Sequence, residues 1–433
     1  MNSTYLIIAA CLLGCLGATV PVFMSLFFTG ILGFVYFTDM PIMMLAQTMF
    51  RSMDNFALVV VLFFILCGNI MTAGSIVDKL IKVANAVVGF FPGGLAMAGV
   101  LACGMFGAIS GSTVATVVAI GGFMIPALMD NQYDESFSVG IMTTAPILGI
   151  IIPPSISMIL YSMVSNDSLA ALFMTGFVPG FLIIVAMSLY SYFYCRNRNF
   201  KRSPPPTLKE LISVLKEGFW ALMLPVVIFG GIFSGMFTAN EAAVVACVYA
   251  FVVELFIHKD MKFKKVKEVV VSSAVTSATL LIIVAGATAF GRYLTLEQIP
   301  AMITEAVVSK VHSAWAFLLI VNVMLLIVGM FMDIISATLI LAPILLPMLP
   351  EYGISSLHFG LLMTVNLGIG YCTPPLGVSL YITGALVNRG LIYVARAVVP
   401  FLLIQIAILL LLTYWPDLVL FLPKMFYGVG VAG

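Results

Sequence analysis

The sequence predicts an all-α, polytopic membrane protein built from inverted repeats, with two re-entrant helical hairpins and broken helices. Three observations carry that prediction. Only 9% of the 433 residues are charged and 62% are hydrophobic, whereas a soluble domain carries about 25% charged residues to face water. Uncharged runs longer than the roughly 20 residues a spanning helix needs, such as 136–166 and 311–332, recur along the chain. The chain also repeats itself at an offset of 221 residues: Pro126 matches Pro347, Pro153-Pro154 matches Pro374-Pro375, and Pro179 matches Pro400. Gly149 matches Gly370, and Met142-Thr143 matches Met363-Thr364.

Residues 1–94 read as N-terminal scaffold helices. The first segment lacks a basic leader and its apolar run passes signal-peptide length, so it reads as a membrane helix broken near Pro21. Residues 95–180 form the first transport repeat. Within the uncharged stretch Leu95–Met129, the run Cys103-Gly-Met-Phe-Gly-Ala-Ile-Ser-Gly-Ser-Thr113 suggests one half-helix in, a turn near Ser110-Gly111-Ser112-Thr113, and one half-helix out. Peptide groups at such a turn cannot face lipid, where they would go unpaired, so they must line a site or a wet path. A packed small-residue helix is the competing reading.

Residues 181–310 supply connecting scaffold helices and orientation. Eleven of the 19 Lys and Arg residues fall between Arg196 and Lys216 or between Lys259 and Lys267, and both patches should be cytoplasmic. After Pro204-Pro205-Pro206, Leu208, Leu211, Ile212, Leu215 and Phe219 repeat at helical spacing opposite Lys209, Glu210, Ser213, Lys216 and Glu217. That pattern predicts an interfacial amphipathic helix over 207–219, either a connector or a brace. Copy one ends in the basic 196–202 patch, while the matching 417–423 contains no Lys or Arg, so the copies should face opposite ways.

Residues 311–400 form the second transport repeat, and 401–433 a C-terminal helix. Gly329-Met-Phe331 echoes Gly104-Met-Phe106 with a four-residue slip, and Asp333 is the one carboxylate between Lys310 and Glu351. A carboxylate in apolar surroundings can ligate a cation, carry a proton, accept from substrate hydroxyls or pair with a basic residue elsewhere. In both copies the paired prolines remove N–H groups and force their predecessors out of helical geometry. The chain should unwind there and free carbonyls near 149–152 and 370–373 for Na+, a mere kink being the alternative. The new helix N-terminus beyond each pair is electropositive and can face a carboxylate, with Ser157 in the first turn of one of them. Interrupted helices in both halves of an inverted repeat point to a secondary-transport site at the repeat interface.

Other chemistries lack their residues. No P-loop is present, so the energy should come from an ion gradient. Cys11, Cys15, Cys67, Cys103, Cys195, Cys247 and Cys372 are dispersed, His258, His312 and His358 are scattered, and no HExxH occurs. Hydrolase motifs GxSG and GxGD are missing, Gly107-Ala-Ile-Ser-Gly111 being one residue too long. No enzyme activity and no organic cofactor are expected. A net charge of +1 without a basic-aromatic stretch gives nucleic acid no surface.

At Gly107-Ala-Ile-Ser-Gly-Ser-Thr113, Ile125-Pro126, Gly149-x-x-x-Pro-Pro154, Gly230-Gly-Ile-Phe-Ser-Gly-Met-Phe-Thr238 before Glu241-Ala-Ala, and Gly370-Tyr-Cys-Thr-Pro-Pro-Leu-Gly377, the sequence resembles the large membrane subunit of tripartite ATP-independent periplasmic (TRAP) transporters. The resemblance spans nearly the whole chain. It departs at Ala239-Asn240, where the family commonly has Pro-Thr, and a looser helix start is expected there. It implies an elevator in the bacterial inner membrane that carries substrate and Na+ as coupling ion. Implied partners are a small four-helix membrane subunit, a periplasmic substrate-binding protein, the surrounding membrane lipid and a small organic-acid substrate. By the family pattern, one Na+ would sit near Ser110, Gly111, Ser112 and Gly149, and another near Asn366, Gly370, Thr373 and Pro374. Substrate would lie between them, touching Ser112, Thr113, Ser155, Ser157 and Asp333. Family substrates are mostly carboxylates. The chain looks closer to sialic-acid members than to C4-dicarboxylate members, and Asp333 suits a polyhydroxylated ligand. A self-sufficient Na+-coupled carboxylate transporter without a binding protein is the alternative.

Overall fold

The computed structural model describes residues 3–18, 20–38, 41–198, 200, 204–375 and 377–428. Among them every regular element is helical. Seven helices are long and apolar enough to cross a membrane, or nine if each of two bent pairs counts as one span. Lys201 and Arg202 of the first basic patch, and the tail 429–433, lie outside the described residues.

Local chemistry sets where the scaffold helices begin. The first apolar segment divides around Pro21 into Ser3–Gly17 and Val22–Phe37. Helix Ala239–Val252 opens with a capping box in which Thr238 accepts from the Glu241 N–H and Glu241 accepts from the Thr238 N–H. Two otherwise orphaned donors are satisfied, so the Ala239-Asn240 departure does not loosen this start. Thr207 and Glu210 make the same box. The helix they begin does not end at 219, however. It runs unbroken from Leu208 to Phe233 with Pro225 inside it, so 207–219 is the first half of a longer helix. The Phe263–Leu296 helix packs on Val22–Phe37, Ile42–Met53 and Phe56–Ala73 and completes this scaffold.

The two repeats correspond helix for helix. Copy one runs Gly94–Ser110, Thr113–Asp130, the pair Glu135–Ile151 and Ile156–Ser165 bent by 40°, then Leu169–Arg196 with Pro179 inside. Copy two runs Ala314–Phe331, Ile334–Met348, Ser356–Gly370, Val378–Val387, then Leu391–Tyr414 with Pro400 inside. Both paired-proline bonds are cis. The arms of the first hairpin are 17 and 18 residues long, about 25 Å each at 1.5 Å per residue. They are therefore longer than half-helices. Their glycines do not stop the helix because each is filled by a neighbour: a Cβ on Gly99 would touch Met142 at 2.7 Å, and one on Gly104 would touch Ile184 at 2.8 Å. In copy one the arms lie side by side, with Gly99 against Met124; in copy two they meet sparsely.

The copies are inverted, and the contacts between their central helices show it. Cys372 Sγ donates to the Thr143 carbonyl at 3.4 Å, Gly368 abuts Ile147 and Ile150, Gly360 abuts the Tyr161 ring, and Tyr161 Oη donates to the Ser356 carbonyl at 2.9 Å. As one partner climbs from 143 to 161 the other falls from 372 to 356, so equivalent helices run antiparallel. They cross at Ile147 and Gly368, which match at the repeat offset. Each copy also lends its outgoing arm to the other: Ile334–Leu345 packs on Ile156–Ser165, and Thr113–Asp130 on Val378–Val387.

Candidate functional site

The first turn is built by Gly111, whose left-handed backbone (φ 61°) ends the incoming helix, and by Ser112, whose side chain caps the outgoing one by accepting from the Ala115 N–H at 3.3 Å. Glycine suits that φ. A Cβ there would also lie 2.6 Å from the Pro154 carbonyl oxygen, so the turn sits directly on the paired-proline break. One turn back, a Cβ on Gly107 would fall 2.8 Å from Gly149 Cα, and one on Gly149 would fall 2.6 Å from Thr116 Oγ1 and 2.7 Å from the Ser112 carbonyl. Only glycines allow hairpin and broken helix to come this close.

That approach gathers oxygens. Ser110 Oγ lies 3.4 Å from Thr116 Oγ1, Thr116 Oγ1 donates to the Ser112 carbonyl at 2.8 Å, and the Ser112 N–H points at Ser110 Oγ at 3.5 Å. Ser110 and Thr116 are buried. The carbonyls of Gly149 and Ile150 have lost their helical donors because residues 153 and 154 are prolines. No other donor among the described residues reaches 149–152. The structure thus brings Ser110, Gly111, Ser112 and Gly149 together and adds Thr116, which the sequence reading missed. Its signal was available: a hydroxyl four residues after the Ser112 cap, on the face that meets Gly149.

Beyond the break, Ser155 caps Ile156–Ser165 by accepting from the Met158 N–H, and its hydroxyl lies 3.0 Å from Ser157 Oγ. Both serines are buried, and their near hydrogen-bond partners are each other. Thr113 is buried with no partner for its hydroxyl among the described residues.

The second turn repeats this plan with other side chains. Asp333 stands where Ser112 stands in the repeat and does the same local work, capping its helix by accepting from the Ser336 N–H at 2.9 Å. The structural counterpart of Gly107 is Gly329, packed on Gly370: a Cβ on Gly370 would sit 2.5 Å from the Gly329 carbonyl carbon. The Gly329-Met-Phe echo of Gly104-Met-Phe is therefore not the structural match. The expected free carbonyls are partly reclaimed here. Thr373 N–H donates to Gly370 at 3.0 Å, Ser379 N–H to Tyr371 at 3.1 Å, and Thr373 Oγ1 to Ile369 at 2.8 Å. Pro374 is exposed. The Asn366 amide donates to Asn322 Oδ1 at 2.8 Å and Asn322 donates to Thr413 Oγ1 at 2.9 Å, while Asn366 Oδ1 is buried with no hydrogen-bond partner among the described residues. No hydrogen bond among the described residues joins Asp333 to Ser112 or Ser157. A cleft of about 360 Å³ separates scaffold from repeats, lined by Thr48, Ser52, Asn55, Thr288 and Arg292 on one wall and by Met163, Leu339 and Pro343 on the other.

Comparison with known proteins gives this geometry a context. Residues 9–418 match the family described as "Tripartite ATP-independent periplasmic transporter, DctM component". A C4-dicarboxylate TRAP transporter large permease from Rhodobacter capsulatus is 38% identical, over 97% of this chain and 99% of that protein. Its counterpart from Pseudomonas aeruginosa is 40% identical over 92% and 94%. A sialic acid TRAP transporter large permease from Vibrio cholerae is 34% identical over 96% and 98%. Among solved structures, the YdaH transporter of Alcanivorax borkumensis shares the fold with a TM-score of 0.65 at 15% identity, covering 92% of this chain and 91% of that one.

Proposed function

This chain belongs to the tripartite ATP-independent periplasmic transporter family as its DctM component, a multi-pass inner-membrane transporter subunit and not an enzyme, and from that premise we propose that it moves an organic acid anion inward together with Na+. The observation that carries the proposal is the pair of antiparallel turn-and-break units, each setting peptide oxygens beside the N-termini of two helices. Uncharged oxygens suit Na+, and helix N-termini suit a carboxylate. In this reading Ser110, Thr116, the Ser112 carbonyl and Gly149 hold one Na+, and the Gly370–Thr373 segment a second. The anion lies between the turns against Ser112, Ser157 and Asp333. The repeats shift against the scaffold as an elevator, and the turns reach into the bilayer as re-entrant tips. Partners are a small membrane subunit and a periplasmic binding protein that delivers the substrate.

Two substrate classes compete for this site. Asp333 favours a polyhydroxylated acid such as sialic acid, because a carboxylate accepts from hydroxyls and repels a second anionic group. The relatives named for C4-dicarboxylates are 37–40% identical against 32–34% for those named for sialic acid, which favours a C4-dicarboxylate. Uptake into proteoliposomes by the chain co-expressed with its partners, against a panel of sialate, succinate and other acids, decides between them. Accumulation is expected to need the binding protein; equal uptake by this chain alone would sink the tripartite reading.

A further inference from the structure

At the basic end of the scaffold, away from both repeats, the helix from Ala239 widens into a π-turn over Val253–His258, and Lys259 follows with a left-handed backbone (φ 61°). Local π-winding recurs at functional sites. Here it brings three side chains into one place: single donor atoms of Glu254, His258 and Asp260 lie within 4.8 Å of one another, and His258 Nδ1 is 3.9 Å from Glu254 Oε2. The Glu254 side chain is fully buried and that of His258 is 6% exposed. The burial of Glu254 has a structural account: its carboxylate accepts from the Ser75 N–H at 3.4 Å and from the Ile76 N–H, with Lys79 nearby, and so closes the turn after Phe56–Ala73. The burial of the His258 ring has none. Neither ring nitrogen of His258 has a hydrogen-bond partner among the described residues, and neither does Glu254 Oε1. A buried imidazole carries a donor and an acceptor that both need satisfying.

We propose that Glu254, His258 and Asp260 form a divalent-cation site of the Zn2+ type, with water completing the shell on the open Asp260 side. One imidazole nitrogen and two carboxylates suit Zn2+, whereas Mg2+ and Ca2+ prefer all-oxygen sets. Four-coordinate Zn2+ holds its donor atoms about 3.4 Å apart, so the 3.9 Å separation closes with a small side-chain movement. Lys79 Nζ, 3.8 Å from Asp260 Oδ2, is the cation that an ion displaces there. Bound metal ties the turn at Ser75, the end of the 239–258 helix and the loop into Phe263–Leu296 into one clamp. Sequence spacing concealed the cluster because its three members straddle a helix end and a reversed residue.

The test uses the full chain in detergent, stripped with EDTA, titrated with Zn2+ by calorimetry and with Co2+ followed by its visible absorption. Wild type is expected to bind one equivalent and to unfold at a higher temperature when loaded. His258→Gln and Asp260→Asn should each weaken binding by ~10-fold or more while eluting as the same folded species; Glu254 is left untouched because its carboxylate also closes the Ser75 turn. Absence of stoichiometric binding by wild type, or undiminished binding by His258→Gln, overturns the proposal. Neither outcome depends on transport.

Discussion

The two turns occupy equivalent places and are built from different chemistry. Both are pressed onto a paired-proline break by a glycine–glycine contact, Gly107 on Gly149 and Gly329 on Gly370. Both start their outgoing helix with a side-chain cap, Ser112 in one and Asp333 in the other. The first turn holds only neutral oxygens and leaves the 149–152 carbonyls without donors. The second carries a formal carboxylate and returns the Gly370 and Tyr371 carbonyls to backbone bonds. Inverted duplication has kept what the backbone needs, namely glycines, prolines and caps, while electrostatics diverged. If one cation sits at each turn, the first is held by dipoles alone, and the second has Asp333 close enough to set its charge balance with the anion.

The harshest way to break this comparison is to fill the crossings. Gly149→Val and Gly370→Val should each abolish uptake and lower stability by about 1–3 kcal/mol through overpacking, since the new side chain meets backbone in both copies. Transport by either variant would mean that this crossing is not needed. Next, Asp333→Asn keeps the cap, asparagine and aspartate being similar there, but removes the charge. Uptake should fall by ~100-fold with thermal stability within about 0.5 kcal/mol, while Ser112→Asn, also a cap and also neutral, retains transport. Equal activity of both variants would erase the electrostatic difference between the copies. More gently, Thr116→Val removes one hydroxyl from the first oxygen cluster. The Na+ concentration for half-maximal uptake should rise by ~10-fold, as expected for one lost polar contact worth about 1–1.5 kcal/mol. Thr373→Val should shift it less, because its surroundings already satisfy one another. Smallest is Thr238→Ala, outside both repeats: it should cost about 1 kcal/mol of stability and leave uptake kinetics as they were.

Much of this was legible from residues that dictate backbone shape. Pro153-Pro154 and Pro374-Pro375 announced the breaks, and Ser110-Gly111-Ser112 announced the first turn, because proline and glycine act locally. The inversion was readable from the missing basic residues at 417–423. What could not be read needed packing. The amphipathic pattern at 207–219 did not show where its helix stops, because periodicity marks a face and not an end, and the helix runs on through Pro225 to Phe233. The pairing of the Asn366 amide with Asn322, 44 positions away, has no local sequence signal. The Ser112–Asp333 equivalence was written in the offset, yet unlike side chains hid a shared capping role.

The central claim is that the neutral oxygens gathered at the turns hold Na+ beside the anion. It is tested most directly by uptake into proteoliposomes containing this chain and its partners, with an imposed Na+ gradient and no pH gradient, and with choline replacing Na+ in the control. The account expects accumulation above equilibrium in Na+, none in choline, and a Thr116→Val curve displaced to higher Na+. Accumulation that persists unchanged in choline, driven by a proton gradient instead, would contradict it.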